Sequence, residues 1–442
     1  MATPFLGIRG TGDWTTNEKP QDWAEFIMYE YPNGSAPLYA MQSMIAKDSV
    51  SSHTYTWWTE TLPTRAGTVS SIYIDSALGT EYVYATHQTT LGIAGGVVYA
   101  KVAEALVEEF VPHDRVLLRD SDQLEVDVIA HVTNVVKNGA NSYLALELAE
   151  ADDNHADSTT YNLATVDYVL KIDSAHPEFS DAPRPMTYKP VEYSNNAQIF
   201  RNTFAISESA KAEEIRTGDP YKQDKKRCVD RHSMDIEFSG WFGQKRTTTG
   251  LNGKPLYMTQ GLIPFMRENN PSNYANFYNS TDTAYSSKTW LQAGKKFLNT
   301  NLKTIFRYLK GEAMIWCGDG ALEGLNELAE YYGTINMKTA DKAYGIAVNE
   351  WHTAHGRTYW KTHPLWSRDS TMTNMVVVGL PANARFCPKV ANGINRNTMF
   401  QKDMQIPGQD GTLDGFLTEG GWKFFFPNQW FIMNGVGLDN AN

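Results

Sequence analysis

The sequence DPYKQDKKRCVDRHSMDIEFSGWF, residues 219–242, predicts one long helix in the middle of the chain. Asp219 is a good N-cap, and Pro220 suits the first helical position because that position needs no backbone N–H. A helix from Pro220 to about Phe242 is roughly 35 Å long at 1.5 Å per residue. Its first half is mostly charged and is expected to face solvent or an acidic surface. Its second half is apolar and is expected to pack: Met234, Ile236, Phe238, Trp241 and Phe242.

Helices and strands alternate around this helix. A short helix is predicted before it, from Ser207 to Gly218, and an apolar island at Gly261–Phe265 follows it in a stretch rich in Asn, Thr and Gly. Apolar residues at three-to-four spacing predict a second long helix from about Trp290 to a stop at Gly311. The remaining predicted elements are the strand Ala313–Cys317, the helix Ala321–Tyr332, the strands Ile346–His355 and Arg357–Trp366 with a turn at Gly356, the strand Met375–Leu380, and strands within residues 410–437.

Residues 56–193 have the period-two alternation of strands with one buried face. Asn138-Gly139 predicts a reverse turn between the two clearest runs. Four prolines then mark a stiff passage, which is the clearest boundary in the chain: Pro177, Pro183, Pro185 and Pro190. The alternating apolar residues are Leu124, Val126, Val128 and Ala130 in one run, and Leu144, Leu146 and Leu148 in the other.

The first sixty residues are interrupted by Gly and Pro so often that they predict an extended segment. One short helix, at about Trp23–Tyr29, is compatible with this spacing. Such a segment cannot bury its own aromatic side chains. It therefore either wraps its own domain as a tail or lies on a neighbouring subunit as an arm.

Length and charge limit the classes of protein. The 442 residues are enough for two or three domains, and 39 Lys and Arg against 50 Asp and Glu give a formal net charge of −11. This balance argues against a general DNA coat, which needs clustered cations. We expect no membrane span, no secretion signal and, from three scattered cysteines, a reducing compartment.

The segment Gly318-Asp319-Gly320-Ala321-Leu322-Glu323-Gly324 resembles a dinucleotide-binding fingerprint. No βαβ unit precedes it, however, and the next strand, with Asn349, Glu350 and His352, is too polar for the centre of a parallel sheet. A plain strand-to-helix turn is the preferred interpretation.

Neither histidines nor carboxylates predict a catalytic or metal site. His352, His355 and His363 could form a zinc site with Glu350, but His352 and His355 point to opposite faces of a strand, so solvated histidines are expected. The adjacent carboxylate pairs are expected on surfaces, where they cannot converge on a substrate: Glu108/Glu109, Asp152/Asp153 and Glu213/Glu214. The prediction is a protein that is not an enzyme, with no catalytic, cofactor-binding or metal-binding residue and no cofactor.

Several stretches resemble the major capsid proteins of tailed bacteriophages, whose fold is named after phage Hong Kong 97. Residues 195–218, with Asp235–Gly240, are similar to the entry and exit of the long "spine" helix of that fold. Residues 346–363 are similar to strands of its axial domain. Residues 417–432, from Leu417-Thr418-Glu419 to Phe425-Phe426-Pro427 and Ile432, are similar to its C-terminal strand pair.

The resemblance implies an α+β, Hong Kong 97-type fold with four named parts. These are an N-terminal arm, an extended β-rich loop (E-loop), a peripheral domain (P-domain) that holds the spine helix, and an axial domain (A-domain). The segment before the spine helix is longer than a bare E-loop requires and has room for an inserted β-subdomain. The implied ranges are 1–55 for the arm, 56–195 for the E-loop and β-rich segment, 196–255 for the P-domain, 256–400 for the A-domain, and 401–442 for C-terminal strands that return to the P-domain.

The function implied by the resemblance is structural. Copies of the chain assemble into hexamers and pentamers that form an icosahedral virion head around double-stranded DNA, without sequence-specific binding and without a membrane. Assembly takes place in the cytoplasm of the host bacterium, with portal, scaffolding and decoration proteins as further partners. The alternatives are an encapsulin-like compartment shell or, in a different class, a carbohydrate-active or glycan-binding protein with Trp platforms. In a shell subunit, we expect the twelve Trp to anchor contacts between subunits.

Overall fold

The computed structural model describes residues 38, 48–60, 65–122, 126–152, 160–213, 219–332, 337–343 and 346–442. The predicted helix at Trp23–Tyr29 lies outside these residues. The chain divides into two compact units. One, the barrel unit, is Glu60–Pro190; the other, the body unit, comprises Val191–Asn442 with the chain up to Thr59.

Helices and strands are both abundant in the described residues, which confirms the predicted α+β class. The helices are α1 Tyr84–His87, α2 Glu104–Val107, α3 Glu208–Ala212, α4 Pro220–Phe242, α5 Leu262–Asn269, α6 Trp290–Phe306, α7 Asp319–Tyr332 and α8 Pro364–Ser367. The strands are β1 Thr54–Thr59, β2 Ala66–Tyr73, β3 Val97–Val102, β4 Asp114–Arg119, β5 Asp127–Val136, β6 Tyr143–Leu148, β7 Tyr168–Ser174, β8 Val191–Asn196, β9 Gln198–Ile206, β10 Arg246–Thr249, β11 Pro255–Met258, β12 Tyr274–Asn276, β13 Glu312–Cys317, β14 Met337–Ala343, β15 Ile346–His352, β16 Arg357–Thr362, β17 Val376–Gly379, β18 Ala384–Pro388, β19 Val390–Ala391, β20 Ile394–Asn395, β21 Met399–Gln401, β22 Thr412–Phe424 and β23 Phe431–Asn434.

The barrel unit is a closed antiparallel barrel with the strand order β2-β3-β6-β5-β4-β7. The alternation predicted in its sequence is observed, because the side chains of Val128, Ala130, Leu144, Leu146 and Leu148 are all buried. β5 and β6 pair as a hairpin around Asn138-Gly139, which confirms the predicted turn. Closure removes the free sheet edges and gives this unit an aliphatic core of its own. The core apolar side chains of this segment are therefore buried within the barrel unit itself.

The barrel unit is inserted between β1 and β8, which pair antiparallel from Thr54↔Asn196 to Thr59↔Val191. In β1, Tyr55 and Trp57 are buried, while the intervening residues are exposed. The Tyr55 hydroxyl donates to the carbonyl of Trp422 (2.9 Å), and Trp57 Nε1 donates to the carbonyl of Phe424 (3.0 Å). This strand is thus fixed to the C-terminal strand β22 of the same unit.

The body unit contains a seven-stranded mixed sheet in the described residues, with the order β12-β23-β17-β13-β16-β15-β14. The central strand β13 is almost wholly apolar because both faces are covered. Met314 and Trp316 enter a core with α4 and α5 on one face, and Ala313, Ile315 and Cys317 enter a core with α6 and α7 on the other.

A second sheet joins the C-terminal strand to the long helix. β22 pairs with β9 from Thr412↔Ile206 to Gly420↔Gln198, and also with β18 and β21. α4 lies against β9 and β22. Some predicted bounds are corrected: the apolar island Gly261–Phe265 lies largely in helix α5, β15 ends at His352, and Trp366 lies on helix α8 rather than on a strand.

Candidate functional site

The long helix α4 begins and ends as its sequence predicts. The Asp219 side chain accepts a hydrogen bond from the Tyr221 N–H (3.0 Å), with Pro220 in the first turn. Ile236 and Trp241 are fully buried, as predicted for the packed half. Phe238 is 37% exposed, so its predicted burial is wrong. It lies two residues after Ile236, and at 3.6 residues per turn these two side chains point away from each other.

An aromatic cluster holds the C-terminal end of α4. The Trp241 ring lies against Trp366 (centroids 4.8 Å apart) and Trp316 (5.5 Å), both edge-on. Gly240 faces Trp422 so closely that a Cβ would lie 2.7 Å from that ring, which leaves room only for glycine. Edge-to-face aromatic pairs add directional contacts to ordinary apolar burial. The helix is therefore fixed in rotation as well as in position.

A buried carboxylate, Glu237, connects three parts of the body unit. Its Oε1 lies 2.8 Å from His363 Nε2 and accepts hydrogen bonds from Trp241 Nε1 (2.8 Å) and from the Leu38 backbone N–H (3.1 Å). Both Glu237 and His363 are fully buried. These contacts link the chain at Leu38, helix α4 and the end of β16. An unpaired buried charge is costly, so the pairing of Glu237 with His363 stabilises the body unit. We call Glu237, His363, Trp241 and Leu38 the polar hub.

A second buried carboxylate, Glu419 on β22, is held by three cationic or titratable groups. Lys389 Nζ lies 2.8 Å and His53 Nδ1 3.3 Å from its Oε1, and Arg396 Nε lies 2.5 Å from its Oε2. Glu419 is 2% exposed. This cluster joins the start of the described body unit to the loops around β19 and β20.

His232 forms a third polar connection, between α4 and the second sheet. Its Nδ1 lies 2.7 Å from Asn202 Oδ1, and its Nε2 lies 2.7 Å from Thr418 Oγ1. Burial lowers the pKa of His232 to about 4, so the ring is neutral near pH 7. The neutral ring of His232, on α4, therefore forms hydrogen bonds with residues of both β9 and β22.

The predicted histidine group is separated into different environments. His352 is exposed and lies 3.1 Å from Glu350, His355 is exposed at the turn, and His363 is buried in the polar hub. The expectation of solvated strand histidines is therefore wrong for His363. Among the described residues, no group of three His, Cys, Asp or Glu is placed to hold a metal ion.

The surface prediction for the carboxylate pairs is wrong for Asp152, which is fully buried. Its carboxylate accepts hydrogen bonds from the Tyr82 hydroxyl (2.7 Å) and the Leu163 N–H (2.8 Å). Glu108 bonds to Lys137, and this hydrogen bond lowers the pKa of the Glu108 carboxyl. Asp153 and Glu214 lie outside the described residues. Asp152 and Glu108 thus make their contacts within the barrel unit.

The glycine-rich motif is a strand-to-helix turn from β13 to α7, as preferred above. A Cβ at Gly318 would lie 2.2 Å from the Thr373 carbonyl oxygen, and one at Gly324 would lie 2.3 Å from the Gly437 Cα. Both glycines are explained by close backbone packing rather than by phosphate binding.

The prediction that Trp side chains anchor contacts between subunits is wrong for nine of the ten described Trp. These nine are buried within this chain, and only Trp58, at 58% exposure, faces solvent. In the described residues, this burial also removes the Trp platforms on which the glycan-binding alternative depended. The nine are Trp57, Trp241, Trp290, Trp316, Trp351, Trp360, Trp366, Trp422 and Trp430.

Sequence reasoning did not identify Glu237, His232 or Glu419. One signal was present for the first of them: Glu237 is four residues before Trp241, and helical spacing places both on the packed face. The partners of Glu419 come from distant parts of the chain, and no local pattern indicates them. In the described part of the chain, no helix combines the length and apolar character needed to span a membrane.

Comparisons with known proteins give a match to one protein family and one curated relative. The family model of the SU10 major capsid protein matches residues 8–437. A curated relative, the major capsid protein of Pseudomonas phage PaMx41, is 23% identical over 380 residues, covering 84% of this chain and 80% of that protein.

Two solved structures are similar at lower identity. That of Mycobacterium phage Patience is 11% identical, with 61% of this chain and 80% of that chain covered and a TM-score of 0.38. The holo-SrpI encapsulin complex from Synechococcus elongatus PCC 7942 is 9% identical, with coverages of 57% and 78% and a TM-score of 0.37. Because both TM-scores are low, the family match carries the identification. It confirms the predicted resemblance to phage major capsid proteins, and with it a structural role in the virion.

Proposed function

Because this chain belongs to the family of SU10 major capsid proteins, we propose that its copies form pentamers and hexamers of an icosahedral head. The match over residues 8–437, nearly the whole chain, is the observation that carries this proposal. The shell encloses the double-stranded DNA genome of a tailed phage. The chain acts as a structural protein without enzymatic activity.

The family parts map onto the chain as an N-terminal arm (1–55), an E-loop with an inserted subdomain (56–195), a P-domain (196–255), an A-domain (256–400) and returning C-terminal strands (401–442). The barrel unit, inserted between β1 and β8, supports an inserted subdomain within the E-loop. Pairing of β22 with β9, beside α4, supports the return of the C-terminal strands to the P-domain.

Weak, sequence-independent contact with DNA fits the charge of the chain. The formal net charge is −11, and two of the five cations on α4 are paired with an acid of the same helix or its N-cap. Arg227 lies 3.1 Å from Asp224, and Lys222 lies 3.8 Å from Asp219. Paired cations release fewer counterions from DNA than free ones, so these two side chains favour weak rather than strong contact with DNA. Portal, scaffolding and decoration proteins are the further partners that we propose.

Sedimentation velocity of the purified chain tests the proposed assembly. The full chain should sediment as capsomers and shells, whereas a variant lacking residues 1–37 should fold but remain unassembled. The deletion stops before Leu38 so that its hydrogen bond to Glu237 is kept. A full-length chain that remains a folded monomer under all assembly conditions contradicts the proposal.

A further inference from the structure

The hairpin formed by β10 and β11 is exposed over its outer part, while Tyr257 near its base packs against His53. Its strands pair from Arg246↔Met258 to Thr249↔Pro255, and no other strand in the described residues extends this two-stranded sheet. Leu256 is 44% exposed, and Leu251, in the turn, is fully exposed. Apolar side chains therefore lie at the tip and on the outer part of a hairpin that nothing described covers.

The base of this hairpin is rigid. It begins and ends next to Gly243 and Gly261, whose backbones meet in a hydrogen bond from the Gly261 N–H to the Gly243 carbonyl (2.7 Å). A Cβ at Gly243 would lie 2.6 Å from the Thr259 carbonyl oxygen, and one at Gly261 2.7 Å from that of Ser239. The Tyr257 ring stacks on His53 with centroids 4.8 Å apart. The hairpin thus projects in a direction fixed by the end of α4.

The tip is ordered as well. The Gly250 N–H donates to the Lys254 carbonyl (2.8 Å), the Gly253 N–H to the Gly250 carbonyl (2.9 Å), and the Lys254 N–H to Asn252 Oδ1 (3.1 Å). Gly253 has φ +72°, a left-handed conformation that glycine adopts without strain. Leu251 is consequently held outward by a closed turn rather than by a loose loop.

Physical arguments favour burial of this hairpin in an assembly. A two-stranded hairpin alone is marginally stable in water and needs a packed face. Residues 246–258 also contain two cations, Arg246 and Lys254, and no carboxylate, in a chain of net charge −11. A second copy is acidic overall, so its surface complements the charge of the hairpin. Two cations are too few for strong binding to DNA. Such binding would also leave the apolar side chain at the tip without a partner.

We propose that residues 246–258 are an interaction surface for a second copy of this chain, with Leu251 buried at the contact. This inference rests on the proposed assembly and adds a specific surface to it. Burial of a fully exposed leucine in a well-packed contact removes apolar surface from water and thereby favours association.

Thiol labelling of Leu251→Cys tests the proposal on the full chain. The three native cysteines, Cys228, Cys317 and Cys387, are buried, so a maleimide reports on the introduced thiol. The thiol should react freely in the unassembled chain and at least about tenfold more slowly in shells assembled without DNA, because the contact excludes the reagent. Equal reactivity in both states overturns the assignment. Protection already present in the unassembled chain also overturns it, because a segment of the same chain then covers the tip.

Two further variants separate the contact from folding. Leu251→Asp should keep the wild-type melting temperature but lose at least about tenfold in assembly, while Leu251→Met, which preserves the apolar tip, should assemble normally. Shells formed equally well by Leu251→Asp overturn the hairpin assignment alone. Failure of the wild-type chain itself to assemble overturns the proposed function.

Discussion

The barrel unit and the body unit bury their apolar side chains in different ways. The barrel closes one antiparallel sheet around an aliphatic core of Val, Leu, Ile and Ala side chains, with few aromatics. The body packs helices on both faces of a mixed sheet around large aromatic rings. Both units bury charged groups: the body buries Glu237 and Glu419, and the barrel buries Asp152. The barrel is specified by local alternation, whereas the body depends on contacts between distant segments.

The largest expected effect comes from a charge placed in the body core. Ile236→Asp should destabilise the body by more than about 4 kcal/mol, because Ile236 is fully buried and the new carboxylate has no partner. Thermal melting followed by Trp fluorescence measures this effect, since residues 60–190 contain no Trp. The control Phe238→Asp, at a 37% exposed position of the same helix, should cost less than about 1 kcal/mol. Equal melting of the two variants would show that the buried face of α4 is assigned wrongly.

Removing the carboxylate of the polar hub should destabilise the body unit almost as much as Ile236→Asp. Glu237→Leu leaves His363 and the indole N–H of Trp241 without their buried acceptor, and should cost about 3–5 kcal/mol. Urea unfolding followed by Trp fluorescence gives the free energy of unfolding. The matched control is Glu350→Leu, whose partner His352 is about half exposed, and it should change stability by about 0.5 kcal/mol or less. A similar loss in both variants would contradict the importance of the hub.

In the barrel, the test substitution destabilises by leaving a cavity rather than by burying a charge. Leu146→Ala should cost about 2–4 kcal/mol, because the fully buried side chain leaves a void in a closed sheet. Hydrogen–deuterium exchange of the β6 amides should report the loss, while the unfolding transition followed by Trp fluorescence of the body is unchanged. Glu147→Ala, on the outer face of the same strand, is the control and should have little effect. A simultaneous shift of both signals would show that the two cores are not separate.

Lowering the pH should reduce the stability of the body unit because His232 becomes protonated on unfolding. The pKa of this residue is lowered to about 4 by burial, while in the unfolded chain it is near its usual 6.5. Between these pH values the unfolded state binds more protons, so the free energy of unfolding falls as the pH decreases from 6.5 to 4. The total change is roughly 3 kcal/mol. Comparing wild type with His232→Gln by urea unfolding across this range should show a flatter pH dependence in the variant, and parallel profiles would exclude His232 as the cause.

The same contrast explains what could be predicted from sequence. Alternation at Val126, Val128 and Ala130 and in residues 144–148 predicted buried strand faces correctly, since period-two patterns depend on local geometry. Closure of the barrel was not predictable, because it requires β2 to pair with β7, as in Ala66↔Leu170. Composition alone could not distinguish Trp in the core from Trp at subunit contacts.

The candidate site was less predictable than the fold. The long helix was predicted from Asp219-Pro220 and from the apolar residues around Ile236, both of which are local signals. His363 was expected in solvent because solvated histidines are the usual case on a strand and the three histidines were not predicted to converge. Its partner Glu237 is 126 residues away in the sequence, so no nearby pattern indicated the pair. Buried polar contacts of this kind arise only when the fold brings distant segments together.

Cryo-electron microscopy of the purified, self-assembled chain tests the central claim most directly. The account predicts closed icosahedral shells built of pentamers and hexamers, with the body unit of each copy in contact with its neighbours. A homogeneous population of folded monomers, at concentrations and salt conditions that support assembly of related capsid proteins, would contradict it.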